Sequence, residues 1–555
     1  MRLPAKQLID KTPAEQRAGV LDVIRKRALL AALIVAVCLR LVGISWGLPG
    51  AAHSDSYHPD EGTIYGHAAN MADTGDLNPH FFNYGSLPIM LSAVILKLSG
   101  AYVPQRIAMG LAALRLLSVA AGVVTAWLAA FIAGRLFRGG WAPAIAAFGV
   151  AVAPLAVVNS HYATVDALAA CLLTASFACA VRILDEDSRR WYLLAGLLAG
   201  LAAASKYVGI LAVLPPLAAH AIRCGSLRSL VRTAAPLVVI AGAAIGFLIG
   251  CPYSVLDSAA FLRDVGFEMR HVREGATTYL MGQAPLEYFA LQVLPCAVTM
   301  PLLCVAAIGL AFGVATWRAR GALLAGWFLL LTLAHGAGQE IFVRYAMPLV
   351  PLLAVAVAGL VAPLDAPEAQ GLLSRPFQRY GALGVVTLAL VWAGLTSWAN
   401  VALMERPDTR DQAALDLLPE MSEGGSLGMH GLPWFHTPPL LHVNGGPHYP
   451  ERVYFAAAEE LGIELTITGW NVGVLELRAP EWFVASEFDY HFPLLTEKPE
   501  AVAFYAALDD GYALERVYSE PLRAGPIRFE RPRLHDWRYV SPDIRVYRLD
   551  EEAGR

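Results

Sequence analysis

The sequence predicts a polytopic α-helical membrane protein with a soluble α/β domain at its C-terminal end. Over 555 residues, 56% are hydrophobic and 16% charged, and the mean hydropathy is +0.50. Those values lie outside the range of soluble enzymes. Apolar runs of membrane-crossing length recur from Ala28 to Trp398. From Glu405 onward hydropathy falls, charges of both signs appear, and short alternating stretches (SLGMHG, ELTITGW, EWFVASEF) stand beside helical ones at Arg410 to Met421 and Glu497 to Leu508. Residues 401–555 therefore read as a small α/β domain of about 150 residues.

A net charge of -4 and a pI near 6.4 give no basis for a nucleic-acid partner. No Gly-rich phosphate loop is present, so any chemistry must draw on an activated substrate. The seven cysteines fall mostly within apolar runs and show no CxxC spacing, which argues against disulfides and cysteine-held metals.

Residues 1–27 carry Arg2, Lys6, Lys11, Arg17, Arg25, Lys26 and Arg27 ahead of the first apolar run, Ala28 to Trp46. This pattern reads as an uncleaved first helix with its amino end in the cytoplasm. Counting Leu87 to Val103 as a full crossing would export the basic loops near Arg135, Arg138, Arg223, Arg228 and Arg232. If that stretch lies along the outer face or re-enters it, the loops at 135–140, 182–190, 223–232, 318–320 and 375–379 all stay cytoplasmic. The membrane domain is then residues 28–400, with about 11 to 13 helices and about 11 crossings, and the terminal domain lies outside.

The outer loop 47–106 is the densest cluster of titratable groups before residue 400. Between His53 and Pro88 it holds His53, Asp55, His58, Asp60, Glu61, His67, Asp73, Asp76 and His80. Pro59 pushes the preceding residue toward extended geometry, so Asp60 and Glu61 sit where the loop turns into a helix over Gly62 to Thr74. There they are either first-turn capping charges or carboxylates poised for chemistry.

Further candidates face the same side. Asp166 opens a helix in NSHYATVDALAACLL, and its placement near the membrane surface suggests a partner, His161 or a cation. Lys206 breaks LLAGLAAASKYVGILAVL into two spans and calls for a bound anion or a carboxylate, snorkelling being the alternative. Arg344 and Tyr345 open a helix in GQEIFVRYAMPLVPLL, and arginine offers a fork suited to phosphate, though pairing with Glu340 is also open. Arg115, deep within its span, is expected to pair with a loop carboxylate. The segment Cys251 to Tyr288 suits either a cover over a lipid phosphate or an amphipathic interfacial helix. His430, His436, His442 and His448 recur every six residues, but the irregular Pro and Gly between them favour surface chance over a metal site.

The succession of an Asp-Glu pair, TGDLNPHF, NYGSLP, RLLS, HYATVDAL, SKYVG and RYAMPLVPLLAV resembles the bacterial membrane glycosyltransferases of the C-type fold in family 39. These are relatives of the protein O-mannosyltransferases and the lipid A aminoarabinose transferases. The resemblance covers roughly residues 28–400. It implies inverting transfer from a polyprenyl-phosphate sugar at the outer face of a bacterial cytoplasmic membrane, to a glycan, glycolipid or protein acceptor. Asp60, with Glu61 beside it, would serve as base and Asp166 would organise the site. His58, His80, Tyr84, Arg115, His161, Lys206, Arg344 and Tyr345 would contact substrate, with Lys206 and Arg344 on the leaving phosphate. One departure stands out: where aminoarabinose transferases carry a lysine-proline pattern this chain has Asn83, Tyr84 and Gly85, so either Lys97, Lys206 or Arg344 assumes the phosphate contact or the donor sits differently. No cofactor is expected. A divalent metal is the other way to neutralise phosphate, but His53, Asp55, His58, Asp60 and His80 match no standard ligand spacing. The rival class is a transporter, flippase or polymerase of lipid-linked sugars, disfavoured by the absence of paired internal repeats.

Overall fold

The computed structural model describes residues 13–137, 140–275, 280, 282–362, 376–421, 424–443, 445–446 and 449–550. The expectations placed on Arg2, Lys6, Lys11, Arg138, part of the 375–379 loop, His448 and part of the Cys251 to Tyr288 segment lie outside the described residues.

The chain is a multi-pass helical membrane protein. Seven described helices are long and apolar enough to cross a bilayer, or eight if the bent pair Ala142–Ala151 and Pro154–His161 is one span. This is fewer than the 11 crossings expected, for two physical reasons. The first helix, Pro13–Leu41, carries Arg25, Lys26, Arg27 and Arg40 among its apolar residues. Others are cut short: Arg189–Ala203 has 15 residues, Ala235–Gly250 has 16 and Ser86–Ser99 has 14. At 1.5 Å per residue, 14 residues reach only about 21 Å, less than a hydrocarbon core of about 30 Å. The stretch expected not to cross is the shortest of these, and Gly100 ends it in a left-handed cap.

Small residues bring the short helices together. A Cβ on Gly200 would lie 2.0 Å from the carbonyl oxygen of Ala243, so Arg189–Ala203 and Ala235–Gly250 pack backbone to backbone. Arg40 ties the first helix to the bent pair without any carboxylate. Its guanidinium donates to the carbonyl oxygens of Val150 and Ala151 at 3.1 and 3.2 Å and to Ser160 Oγ at 3.1 Å. Those carbonyls are the unsatisfied end of Ala142–Ala151, so the cation caps a helix terminus inside the protein.

The basic loops gather at one end of the bundle. Arg320 donates to Asp185 at 2.7 Å and to the Arg135 carbonyl, and Arg223 pairs with Asp187 at 2.8 Å. Asp185 closes the 20-residue helix that Asp166 opens, so this cluster lies a full helix length, about 30 Å, from Asp166.

The C-terminal domain is α/β, as predicted. Its strands are β1 (Ser426–Met429), β2 (Glu464–Ile467), β3 (Trp482–Ser486), β4 (Tyr512–Tyr518), β5 (Arg523–Ala524), β6 (Ile527–Arg528) and β7 (Ile544–Leu549). The main sheet has the order β2-β1-β3-β7-β4, parallel at β2-β1-β3 and antiparallel at β3-β7-β4, while β5 and β6 form a separate two-stranded piece. The three expected strands are β1 to β3, and the expected helices appear as Thr409–Leu417 and Pro499–Gly511. The domain is fastened to the outer loop: Trp46 Nε1 donates to Asp408 at 3.1 Å, the Tyr57 hydroxyl donates to Asp411, and Tyr449 donates to Asp55 at 3.4 Å.

Burial within this domain has a consequence for acid stability. It pushes His430 down to about 4 and His436 and His535 down to about 3, while it raises Asp489 to about 7. The unfolded chain, with histidines near 6.5, binds protons that three folded imidazoles refuse, so their stabilisation is present above pH 6.5 and lost as the pH falls toward 4. Asp489 acts in the opposite sense, its contribution being lost as the pH rises from about 4 through 7. Asp411 and Asp536, also raised by burial, act with Asp489, and His491, also lowered, acts with the three imidazoles, so four histidines stand against three acids. The thermal midpoint of the outer domain is expected to fall between pH 7 and 5, and to fall less in His430→Gln. A midpoint that is flat or rising toward pH 5 would remove the buried imidazoles as the cause.

Candidate active site

The loop's helix begins at Pro59, which takes the first helical position, and runs to Thr74. His58 is its N-cap, the ring Nδ1 accepting from the Asp60 amide at 3.2 Å. Asp60 and Glu61 therefore both sit in the first turn, pointing in different directions. Asp60 faces a cavity of about 580 Å³. Glu61 turns inward and is fully buried.

The same cavity receives Asp166, Lys206, Arg344, Tyr84 and Tyr345. Lys206 Nζ lies 2.7 Å from Asp166 Oδ1 and 4.2 Å above the Tyr345 ring. Arg344 reaches three acids: Asp60 at 3.4 Å, Asp166 at 3.9 Å and Asp536 at 3.9 Å. Its guanidinium stacks 4.1 Å over Phe342, and its Nη1, like Thr164 Oγ1 and His335 Nε2 on the same wall, makes no hydrogen bond. The Tyr84 phenol is held well above its ordinary range by the Asp60 carboxylate and then by burial, so it stays protonated.

Local chain breaks place these groups. Lys206 falls after Arg189–Ala203 has ended and before the 3₁₀ turn Tyr207–Val213, as the two-span reading required. Gly85 explains the residue after Tyr84: a Cβ there would lie 1.9 Å from the Ala204 carbonyl oxygen, which instead accepts from the Leu87 amide at 3.0 Å. The NYG turn and the Ser205-Lys206 break are thus packed against each other, and the Tyr207 hydroxyl donates to the Phe82 and Tyr84 carbonyls at 2.6 and 3.0 Å.

Other candidates do not enter the cavity. Glu61 receives Arg115 through two bonds of 2.8 and 2.7 Å, Ser56 Oγ at 2.5 Å and the Ala163 amide at 2.7 Å. Burial alone would push its carboxyl up; the guanidinium and these hydrogen bonds outweigh it and leave Glu61 below its ordinary value. Arg115, as expected, pairs with a loop carboxylate, and it also donates to the Ile44 and Trp46 carbonyls. His161 faces the carbonyls of Val157 and Val42 rather than Asp166. His58 is buried between Tyr162 and Tyr539, and burial pushes its imidazole down to about 4. His80 is exposed and pairs with Asp76 at 2.9 Å. Lys97 donates to the Ala72 carbonyl, which leaves Lys206 and Arg344 as the lysine and arginine on the cavity wall. Among the described residues no group of three or more His, Cys, Asp or Glu is arranged to hold a metal ion.

Two contributors escaped the sequence reading. The segment after Cys251 includes an amphipathic helix, Ser258–Glu274, which walls the cavity. It presents Glu268, whose carboxyl burial pushes up, and it is moored by Asp264 to the Phe82 amide at 3.0 Å and by Asp257 to Asn78 at 2.8 Å. Asp536, from the C-terminal domain, accepts from the backbone amides of Val343 and Arg344 at 2.9 and 3.1 Å. Local charge could have marked Glu268; nothing in the sequence around LHDWRY marks Asp536.

A multi-pass helical domain joined to a C-terminal α/β domain is the architecture of the C-type glycosyltransferase fold. Two solved structures of one protein share it. ArnT from Cupriavidus metallidurans, bound to undecaprenyl phosphate or in the apo state, superposes with a TM-score of 0.50 at 15% identity, over 95% of this chain and 98% of that one. The Archaeoglobus fulgidus oligosaccharyltransferase tethered with an acceptor peptide gives 0.48 at 13%, over 93% and 76%. The S. cerevisiae Pmt1-Pmt2 protein O-mannosyltransferase complex, bound to the sugar donor, gives 0.32 at 19%, over 48% and 36%. By sequence, the model of the dolichyl-phosphate-mannose-protein mannosyltransferase family matches residues 106–253. No curated protein matches the chain. At these identities the likeness is one of fold.

Proposed function

We propose that this chain transfers a sugar from a polyprenyl-phosphate donor to an acceptor hydroxyl, with inversion, at the outer face of a bacterial cytoplasmic membrane. The observation that carries this reading is the meeting of Asp60 and Asp166, from separate turns, with Lys206 and Arg344 in one cavity. Asp60 takes the proton of the acceptor hydroxyl as its oxygen attacks the anomeric carbon. The bond from that carbon to the phosphate oxygen breaks on the opposite side, and the lipid phosphate leaves with the electron pair. A phosphate leaving group needs positive charge rather than a proton, and Lys206 with the open Nη1 of Arg344 supplies it. Asp166 holds Lys206 in place, and the protonated Tyr84 offers a donor to sugar or phosphate oxygen. The fold neighbour solved with undecaprenyl phosphate supports the substrate class. The gathering of Arg135, Arg223 and Arg320 at the other end of the bundle supports an extracytoplasmic cavity. The acceptor is a glycan, a glycolipid or a protein, with a small glycolipid or polysaccharide favoured. No cofactor takes part in this scheme.

The test is release of polyprenyl phosphate from labelled polyprenyl-phosphate sugars by the purified full chain, given envelope glycolipid as acceptor. Lys206→Met should raise the donor KM about 10- to 100-fold, the worth of a hydrogen bond between charged groups of about 1.5–3 kcal/mol. A donor KM unchanged in that variant would take Lys206 off the phosphate, and a wild-type chain inert toward every such donor would end the reading.

A further inference from the structure

We infer that the outer domain is part of the catalytic apparatus, with Asp536 as the positioning residue that sets Arg344 for the leaving phosphate; the inference rests on the function proposed above. Arg344 sits at the start of the 3₁₀ turn Val343–Leu349, where backbone amides have no partner within the turn. Asp536 fills that gap from another domain, 193 residues away in sequence, with Oδ1 accepting from Val343 and Oδ2 from Arg344. The same Oδ2 lies 3.9 Å from Arg344 Nη1. One carboxylate thus fixes the backbone that carries Arg344 and stands within ion-pair range of its head group.

The carboxylate is itself rigidly held. His535–Trp537 is a short 3₁₀ turn, and the His535 ring packs 5.9 Å from Phe342, the ring on which the Arg344 guanidinium lies. Just beyond it, Tyr539 presents its carbonyl to Arg410 at 2.9 Å, and the Ser541 amide donates to Asp408 at 3.1 Å. Asp408 in turn accepts from Trp46 in the outer loop. The outer domain is therefore locked to the membrane domain both around the outer loop and directly behind the active-site arginine.

The position also bears on Asp60. The Arg344 guanidinium lies closer to Asp60, at 3.4 Å, than to either other acid. Asp536 holds the backbone from which that side chain projects, and Nη1 makes no hydrogen bond. Without Asp536 the arginine is expected to close onto Asp60, occupying the base and withdrawing from the phosphate in one movement.

A double-mutant cycle read on kcat/KM decides the matter, since a residue acting through Arg344 has nothing further to lose once Arg344 is gone. Asp536→Asn is expected to lower kcat/KM at least 10-fold in wild-type background and by no more than about twofold in Arg344→Gln. Two losses that simply multiply would overturn the inference. Hydrogen exchange on the full chain gives a readout that needs no activity: in Asp536→Ala the 342–345 amides should lose protection while those of 350–361 keep theirs. Retained protection at 342–345, or loss spread across the outer domain, would equally overturn it. If wild-type chain transferred no sugar, the function would fall while the exchange result still judged the clamp.

Discussion

Asp60→Asn is expected to lower kcat by about 10² to 10⁴, the range that general-base assistance supplies. Asparagine keeps the shape and the helix-start position but cannot accept the acceptor's proton. Donor affinity should not suffer. The substitution removes a negative charge from beside the expected phosphate, and Arg344 keeps Asp166 and Asp536 within 3.9 Å. The combination of lost turnover with an unchanged or lower donor KM separates a base from a binding residue. Turnover within threefold of wild type would dismiss Asp60 from that role.

The second large effect is on folding. Arg115→Met should destabilise the chain by about 3–5 kcal/mol, because it strands a carboxylate in a site with no solvent. Glu61 and Arg115 are both fully buried and joined by two hydrogen bonds, and the guanidinium also satisfies the Ile44 and Trp46 carbonyls. Glu61 is held below its ordinary value by that guanidinium against the upward push of burial, so the anion is what the site is built for. Adding Glu61→Gln to Arg115→Met should recover part of the loss, since a neutral amide costs less to bury than an unpaired carboxylate. Thermal unfolding in detergent reads both. A double variant no more stable than Arg115→Met alone would show that the stranded charge is not the cause.

These two predictions part the members of one dipeptide. HPDE announces a carboxylate pair at a helix start, and the structure sends the two carboxylates to different places, Asp60 to the cavity and Glu61 to Arg115. Successive positions on a helix differ by about 100°, so Asp60 and Glu61 cannot face the same place. Which of them meets the cavity depends on where Arg115 and the Ala163 amide lie, and neither is near in sequence. For the same reason His161 stood out as a partner for Asp166 and turned out to bond backbone carbonyls. The crossing number shows a similar limit. Hydropathy sees apolar length, while the structure ends several of those runs as helices of 14 to 16 residues.

Composition and order along the chain determined the class of molecule, the outer loop, the break at Lys206, the first three strands and the residues from which a site could be made. Those properties are local: hydropathy, proline geometry and alternation act over a few residues. The tertiary structure alone decided that Glu61 braces while Asp60 faces the cavity, that Ser258–Glu274 walls it, and that Asp536 reaches Arg344 across 192 positions. A hydrogen bond is satisfied by whichever group arrives within about 3 Å, and sequence distance has no part in that.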